Sequence, residues 1–416
     1  MKFLLIFISV FLFAFPMKKG DFATIRVNDK NWASKFRIID VGDNILDVNS
    51  VKLYYDWLVG FYYYKDENNN DFVKEFYGHR KTWTLNPEGP FIHCPANGYD
   101  WCDDYYYNFG NKQVINKKID FLLNILKTKH YDGIFFDWAN DAMLYEKEYK
   151  VIAQNFKKLN PHKTYADTIE EFYKKLKEKN VFFVTNQAFR TEKLLKYTPY
   201  DMTESYGTTV SYIKTRVMIE NKGWVNKIPI TNYYPIDNHS LKGTLFYLNK
   251  LTKYKEKYKK FGFKNFIYMN YLAPKYKRVY QMQPIYKEVM PKNGIFFSYA
   301  LAKLTDNMVY AEVTNKPELE KSEIYFYDLG KVLGKNYIKL KNLNIYIRYY
   351  ENGFVLVSDK YPKDKQIKLN LSKKYYDVYN KKWIYDNIIN LHYEKDNILG
   401  KKLPLGRVFM YKGVEK

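Results

Sequence analysis

Cysteine is nearly absent: Cys94 and Cys102 are the only two in a chain of 416 residues. Two thiols with only His93 beside them do not make a recognisable zinc ligand set, so no metal site is expected. In an oxidising compartment the pair would be a candidate disulfide closing a small loop; otherwise they are two free thiols. Nowhere does an apolar run reach the roughly 18 residues of a membrane-spanning helix. No glycine-rich phosphate-binding fingerprint follows any strand-like run, which counts against a nucleotide-binding fold. There is no arginine-rich arm or basic block either. The formal net charge is +23, yet the lysines are scattered among Asn, Ile and Tyr. They read as a solvated surface, and no nucleic-acid partner is expected.

What the chain does carry begins with Met1 and Lys2, an uncharged run from Phe3 to Phe15, and then Pro16, Met17, Lys18 and Lys19. That is the layout of a signal peptide, so residues 1–19 are assigned to a leader and the rest to the periplasm or the extracellular space. No small-x-small triplet marks a cleavage site, and no nearby cysteine could accept a lipid. An uncleaved leader holding the chain peripherally at the cell envelope is therefore the alternative.

Between residues 20 and 316 strand-like and helix-like patterns alternate. Ile115, Ile119, Leu122, Leu123 and Leu126 mark one face of a helix. It runs into Gly133-Ile134-Phe135-Phe136-Asp137, an apolar strand ending in an acid. A second amphipathic helix over 164–179 leads to Val181–Gln187, and a long helix over 240–260 leads to Phe266–Asn270. The order predicts a parallel sheet. Residues 54–62 read as one strand, 94–111 as a long aromatic and acidic loop, and 206–223 as helical. Successive strands end in Asp137, Asn186, Glu204, Asn232 and Asn270. In a closed barrel such residues converge on one rim, so the expectation is a (β/α)8 TIM-type barrel. Beyond residue 317 short alternating runs predict a small sandwich-like all-β domain over 317–416.

Hydrolysis of a glycosidic bond needs two carboxyl groups across the scissile bond. Asp137 and Glu204 stand at the ends of different strands and fit that need, Glu204 as the acid and Asp137 as nucleophile or base. Sugar rings stack on aromatic side chains and bind amides, which nominates Trp101, Trp138, Tyr206 and Tyr233 together with Asn186, Asn232 and Asn270. The bland alternatives are a loop-capping role for Asp137 and a lysine or Arg216 partner for Glu204.

The run Asp132-Gly133-Ile134-Phe135-Phe136-Asp137 resembles the catalytic strand of chitinase-type glycosidases, but Ala139 stands where they carry their glutamate. It is more similar to the Asp-Gly-[Val/Ile]-Phe-[Leu/Phe]-Asp strand of glycoside hydrolases like the endo-α-1,4-polygalactosaminidases. In those barrels a later strand supplies a Glu, here Glu204 in Thr203-Glu204-Ser205-Tyr206-Gly207. Tyr327-Asp328-Leu329-Gly330 and Ile347–Val357 look like the β-domain appended to some of them. The resemblance implies an exported, cofactor-independent glycosidase, expected as a monomer, acting on a polysaccharide or oligosaccharide. The alternative is a non-catalytic carbohydrate-binding barrel at the cell surface.

Overall fold

The computed structural model describes residues 15–25, 28–42, 47–65, 68–89, 102–145, 149–204, 209–219, 223–232, 241–272, 275–280, 283–288, 291–313, 317–340, 343–360, 365–369, 374–391 and 405–411. For Cys102, Met143, Tyr271, Pro291, Asp359, Lys360, Lys365 and residues 209–219, 223–232, 275–280 and 283–288 the backbone alone is described.

Eight parallel strands form one sheet in strictly sequential order. They are β1 (Gly20–Thr24), β2 (Phe36–Asp40), β3 (Val51–Trp57), β4 (Gly133–Asp137), β5 (Phe183–Asn186), β6 (Tyr200–Glu204), β7 (Asn265–Leu272) and β8 (Met308–Val313). The sheet curls until its edges meet, where Thr24 Oγ1 on β1 donates to Glu312 Oε2 on β8 at 3.1 Å. A sequential, all-parallel, nearly closed sheet is the TIM-type barrel that the strand-end pattern predicts.

The helices follow from local signals. Asn111 accepts from the backbone of Gln113 and opens α1 (Lys112–Lys129), which buries Ile115, Ile119 and Leu122 against the sheet. Thr164 caps α3 (Tyr165–Glu178), and α2 (Lys150–Leu159) precedes it between β4 and β5. Both caps satisfy backbone N–H groups that a helix start leaves unpaired. Helix α4 (Leu241–Tyr258) leads into β7, and α5 (Pro291–Leu304) into β8. Among the described residues ahead of β3 the helical layer is one turn, Lys30–Ala33, whose Trp32 packs edge-on against Phe36 and Phe326. Gly133 is needed where β4 passes β5, because a Cβ there would sit 2.7 Å from the Phe182 carbonyl oxygen.

Three expectations are corrected. Residues 54–62 are two strands, since the chain turns after Trp57 and Gly60–Tyr64 pairs antiparallel with Cys102–Tyr106. That pairing also takes the second half of the expected 94–111 loop, and buries Tyr105, Tyr106 and Tyr107. The expected helix over 206–223 is a hairpin of Thr209–Ile219 with Gly223–Asn232. Its Val210, Ile213, Thr215 and Val217 are β-branched and favour extended backbone.

After β8, 3₁₀ turns at Pro317–Glu320 and Glu323–Phe326 lead into an antiparallel six-stranded sheet. Its strands are β9 (Val332–Lys339), β10 (Asn344–Tyr350), β11 (Gly353–Lys360), β12 (Tyr375–Asp377), β13 (Lys382–Ile384) and β14 (Leu405–Tyr411). A two-stranded ribbon, Lys365–Lys368 with Ile388–Leu391, covers one face, and Ile345, Ile347, Phe354, Leu356, Ile389 and Phe409 fill the space between. The other face joins the barrel's own core through Val355, Val357, Val408 and Met410. At Gly406 a Cβ would lie 2.3 Å from Phe297 Cα, so β14 touches the backbone of α5. Residues 15–19, expected in the leader, meet this region: Met17 bridges to Tyr327, and Phe15 packs on Tyr376 and Trp383.

Candidate active site

The carboxyl-terminal ends of β3 to β6 bring four side chains together. Along β3 the residues alternate, so Tyr55 faces the barrel interior while Asp56 faces the helical layer. The Tyr55 ring stacks on Phe135, and its hydroxyl donates to Asp137 Oδ2 at 2.6 Å. Asp137 Oδ1 accepts from the Trp138 backbone N–H and from Asn186 Nδ2, both at 2.8 Å. The same Asn186 nitrogen donates to Glu204 Oε1, also at 2.8 Å. One amide at the end of β5 therefore bridges two half-buried carboxylates on its neighbours. These are charge-compatible contacts, since an amide N–H₂ offers two hydrogens and each acid takes one.

Burial, reinforced by the negative charge of Asp137, pushes the Tyr55 hydroxyl far above its ordinary range, so it stays protonated and can only donate to that acid. Tyr62, stacked on Trp57, is pushed up to about 12, chiefly by burial and also by Asp104 and Asp137.

The loops that follow β4 and β5 are held in sparsely populated backbone. Trp138 and Gln187, directly after Asp137 and Asn186, both have left-handed φ values, 51° and 62°. For residues with a Cβ this costs about 1–2 kcal/mol each. Two networks hold them in place. Asn140 donates to the Gln187 carbonyl, tying one loop to the other. From the outward face of β6, Asp201 accepts from Thr185 Oγ1 and from the backbone N–H groups of Ala188 and Phe189. Full burial pushes the Asp201 carboxyl up to about 7, against the opposing pull of those three donors.

Asp137, Trp138, Asn140, Asn186, Gln187, Arg190 and Glu204 line a pocket of about 300 Å³ at this rim. A larger cavity of about 580 Å³, bounded by Lys81, Pro87, Val151 and Leu159, lies away from the acids. The sequence-predicted residues Asp137, Glu204, Trp138 and Asn186 are thus brought together. Asn270 is not: Glu204 is in register with Met269, so Asn270 points to the opposite face of the sheet and is buried there. Asn232 is described in backbone only, as is Cys102, and Trp101, Tyr206, Tyr233 and Cys94 lie outside the described residues. Sequence reasoning missed Tyr55, Tyr62, Asn140 and Arg190. A correct end for β3 would have put Tyr55 on the same face as Asp137. Among the described residues no three His, Cys, Asp or Glu side chains gather in a way that could hold a metal ion.

No protein-family model matches the chain, and no curated protein matches it. Among solved structures it is similar to a maltogenic α-amylase from Thermotoga neapolitana at 11% identity, covering 95% of this chain and 89% of that one, with a TM-score of 0.43. A cycloisomaltooligosaccharide glucanotransferase from Paenibacillus matches at 8% identity over 95% of this chain and 83% of that one, TM-score 0.44. An α-amylase from Geobacillus thermoleovorans matches at 10% identity over 88% and 78%, TM-score 0.40. Likenesses this distant carry no argument about chemistry, and they give no support to endo-α-1,4-polygalactosaminidases in particular.

Proposed function

We propose that this chain is an exported glycoside hydrolase that cleaves O-glycosidic bonds of a polysaccharide or oligosaccharide with retention of anomeric configuration. The observation behind the reading is the shared Asn186 nitrogen, 2.8 Å from an oxygen of Asp137 and 2.8 Å from an oxygen of Glu204. Those two oxygens cannot be farther apart than twice that length. Such spacing suits a retaining pair, at about 5–5.5 Å, and leaves no room for the water that inverting enzymes hold between carboxyls about 6.5–9.5 Å apart.

In this reading Asp137 attacks the anomeric carbon while Glu204 protonates the departing glycosidic oxygen, leaving a glycosyl ester on Asp137. Glu204, now ionised, takes a proton from water as that water attacks the anomeric carbon and frees Asp137. Three neutral donors, Tyr55, the Trp138 N–H and Asn186, hold the Asp137 carboxyl in position for the first step. The exposed face of Trp138 suits an apolar sugar face, and Gln187 and Asn140 suit hydroxyls. Two carboxylates suffice for this chemistry, so it needs no cofactor.

The test is a panel of polysaccharides and oligosaccharides offered to the purified protein, with reducing ends as the readout. Release by the wild type that disappears in both Asp137→Asn and Glu204→Gln supports the proposal. Sugar binding without any release, equal in wild type and both variants, would make the chain a carbohydrate-binding barrel instead.

A further inference from the structure

The pocket at the barrel rim holds two acids and, among the described residues that line it, one cation, Arg190. Its backbone is fixed from both sides. The N–H groups of Ala188 and Phe189 donate to buried Asp201, each at 2.9 Å, and the Arg190 N–H donates to the Gln187 carbonyl at 3.1 Å. Beyond Arg190, the Thr191 hydroxyl donates to Asp141, and the Asp141 N–H donates back to that hydroxyl oxygen at 3.2 Å. Asp141 is itself buried and also accepts from the Tyr145 hydroxyl. The chain kinks at Thr191, with φ −113° and ψ 72°, and the charges that follow turn to the barrel's flank. Lys193 meets Asp167 and Glu170 of α3, Lys196 meets Glu170, and Glu192 meets Lys257 of α4 at 2.6 Å. Arg190 is the charge of this segment that stays at the pocket, with its side chain exposed.

Two buried carboxylates are thus used to anchor the chain on either side of one exposed arginine. A guanidinium carried on a fixed backbone presents a planar fork of donors, which matches the paired oxygens of a carboxylate or a sulfate. A sugar bearing such a group would be repelled by Asp137 and Glu204 unless a cation stood beside them, whereas a neutral sugar needs no cation there. The rest of the molecule adds a term of longer range. Its lysines are too scattered to form a site, yet the net charge of +23 creates a field that draws polyanions toward the surface.

We infer that Arg190 determines substrate specificity by holding an anionic group, a carboxylate or a sulfate, on a sugar bound in the acid pocket. The substrate is then an acidic polysaccharide. The inference rests on the hydrolase reading for the place of the sugar and adds to it the charge that the sugar carries.

The probes are an oligogalacturonate with its carboxyl-reduced, neutral form and a κ-carrageenan oligosaccharide with its desulfated form. Binding is measured by calorimetry in the Glu204→Gln background, so that no probe is consumed. An anionic probe is expected to bind more tightly than its neutral form, and the two pairs separate carboxylate from sulfate. Arg190→Gln should weaken that probe about 10- to 100-fold, the loss expected for a hydrogen bond between charged groups. Arg190→Lys, which keeps the charge and loses the fork, should fall between. Lys127→Gln on α1 removes the same charge away from the pocket and should change binding little. Equal loss in Lys127→Gln and Arg190→Gln would assign the preference to net charge and overturn the inference, as would neutral forms that bind as tightly as the anionic ones. Reducing ends released from neutral polymers, with no binding preference that depends on Arg190, would sink this inference and leave the hydrolase standing. Binding that depends on Arg190, without release from any polymer, would keep it and remove the hydrolase.

Discussion

Neighbouring residues on β3 serve two acid environments that differ in kind. On the outward face, Asp56 meets Lys118 of α1 at 2.9 and 2.8 Å in a buried setting, with the Tyr107 ring 4.5 Å from the ammonium. Burial raises the Asp56 carboxyl and lowers the Lys118 ammonium, each opposed by the other's charge. On the inward face, Tyr55 and the two amide donors hold Asp137 without a cation, at the lip of an opening. The difference separates two uses of an acid. A carboxylate matched to an ammonium locks helix to sheet, whereas one held by neutral donors at an opening is, in the proposed reading, placed to meet an incoming electrophile.

The contrast is broken most severely at the inward acids. Asp137→Asn and Glu204→Gln should each cut reducing-end release on the order of 10²–10⁴-fold, while the melting temperature stays within a few degrees of wild type. Lys118→Met should do the reverse. Leaving Asp56 buried and unpaired costs about 3–5 kcal/mol of stability in urea unfolding, with turnover per folded molecule preserved. Adding Asp56→Leu to that variant should restore most of the loss, because an apolar pair needs no compensation. Tyr55→Phe sharpens the inward side: losing a hydrogen bond to a charged group, about 1.5–3 kcal/mol, should lower turnover on the order of 10–100-fold. Unchanged turnover would remove Tyr55 from the mechanism.

At Asp201 the effect falls on the pH dependence of stability and leaves the pocket acids in place. Burial lifts its carboxyl from 3.8 to about 7 in the fold, so the folded chain holds a proton that the unfolded chain has lost across that interval. Its contribution to stability is complete below the ordinary carboxylate range, declines as pH rises toward 7 and is flat above it. Asp201→Asn should flatten that decline in urea midpoints measured from pH 5 to pH 8.

How much of this could be read in the chain depended on period and on rarity. The 3.6-residue spacing of Ile115, Ile119 and Leu122 and the apolar run Ile134–Phe136 each allow one main interpretation, and β4 with its helix stands where they place it. The hairpin at 209–232 was misread because charged and apolar residues alternate there without a turn signal of the two-residue kind. Tyr55 was hidden by abundance: 44 tyrosines leave no single one conspicuous, and its role depends on where β3 stops. Arg190 sits in a 3₁₀ segment whose first residues are held by Asp201, a contact between residues on different elements that no local pattern encodes.

The bare α-carbon of Gly406, pressed against the Phe297 backbone, sets a limit on how the molecule can be cut. Val355, Val357, Val408 and Met410 complete a core begun by the barrel, so a chain ended after β8 would present α5 to water with its apolar side stripped. The tail is a lid on the barrel's flank and not a cartridge to be exchanged. Swapping it for another module would need the seam at position 406 to be rebuilt first.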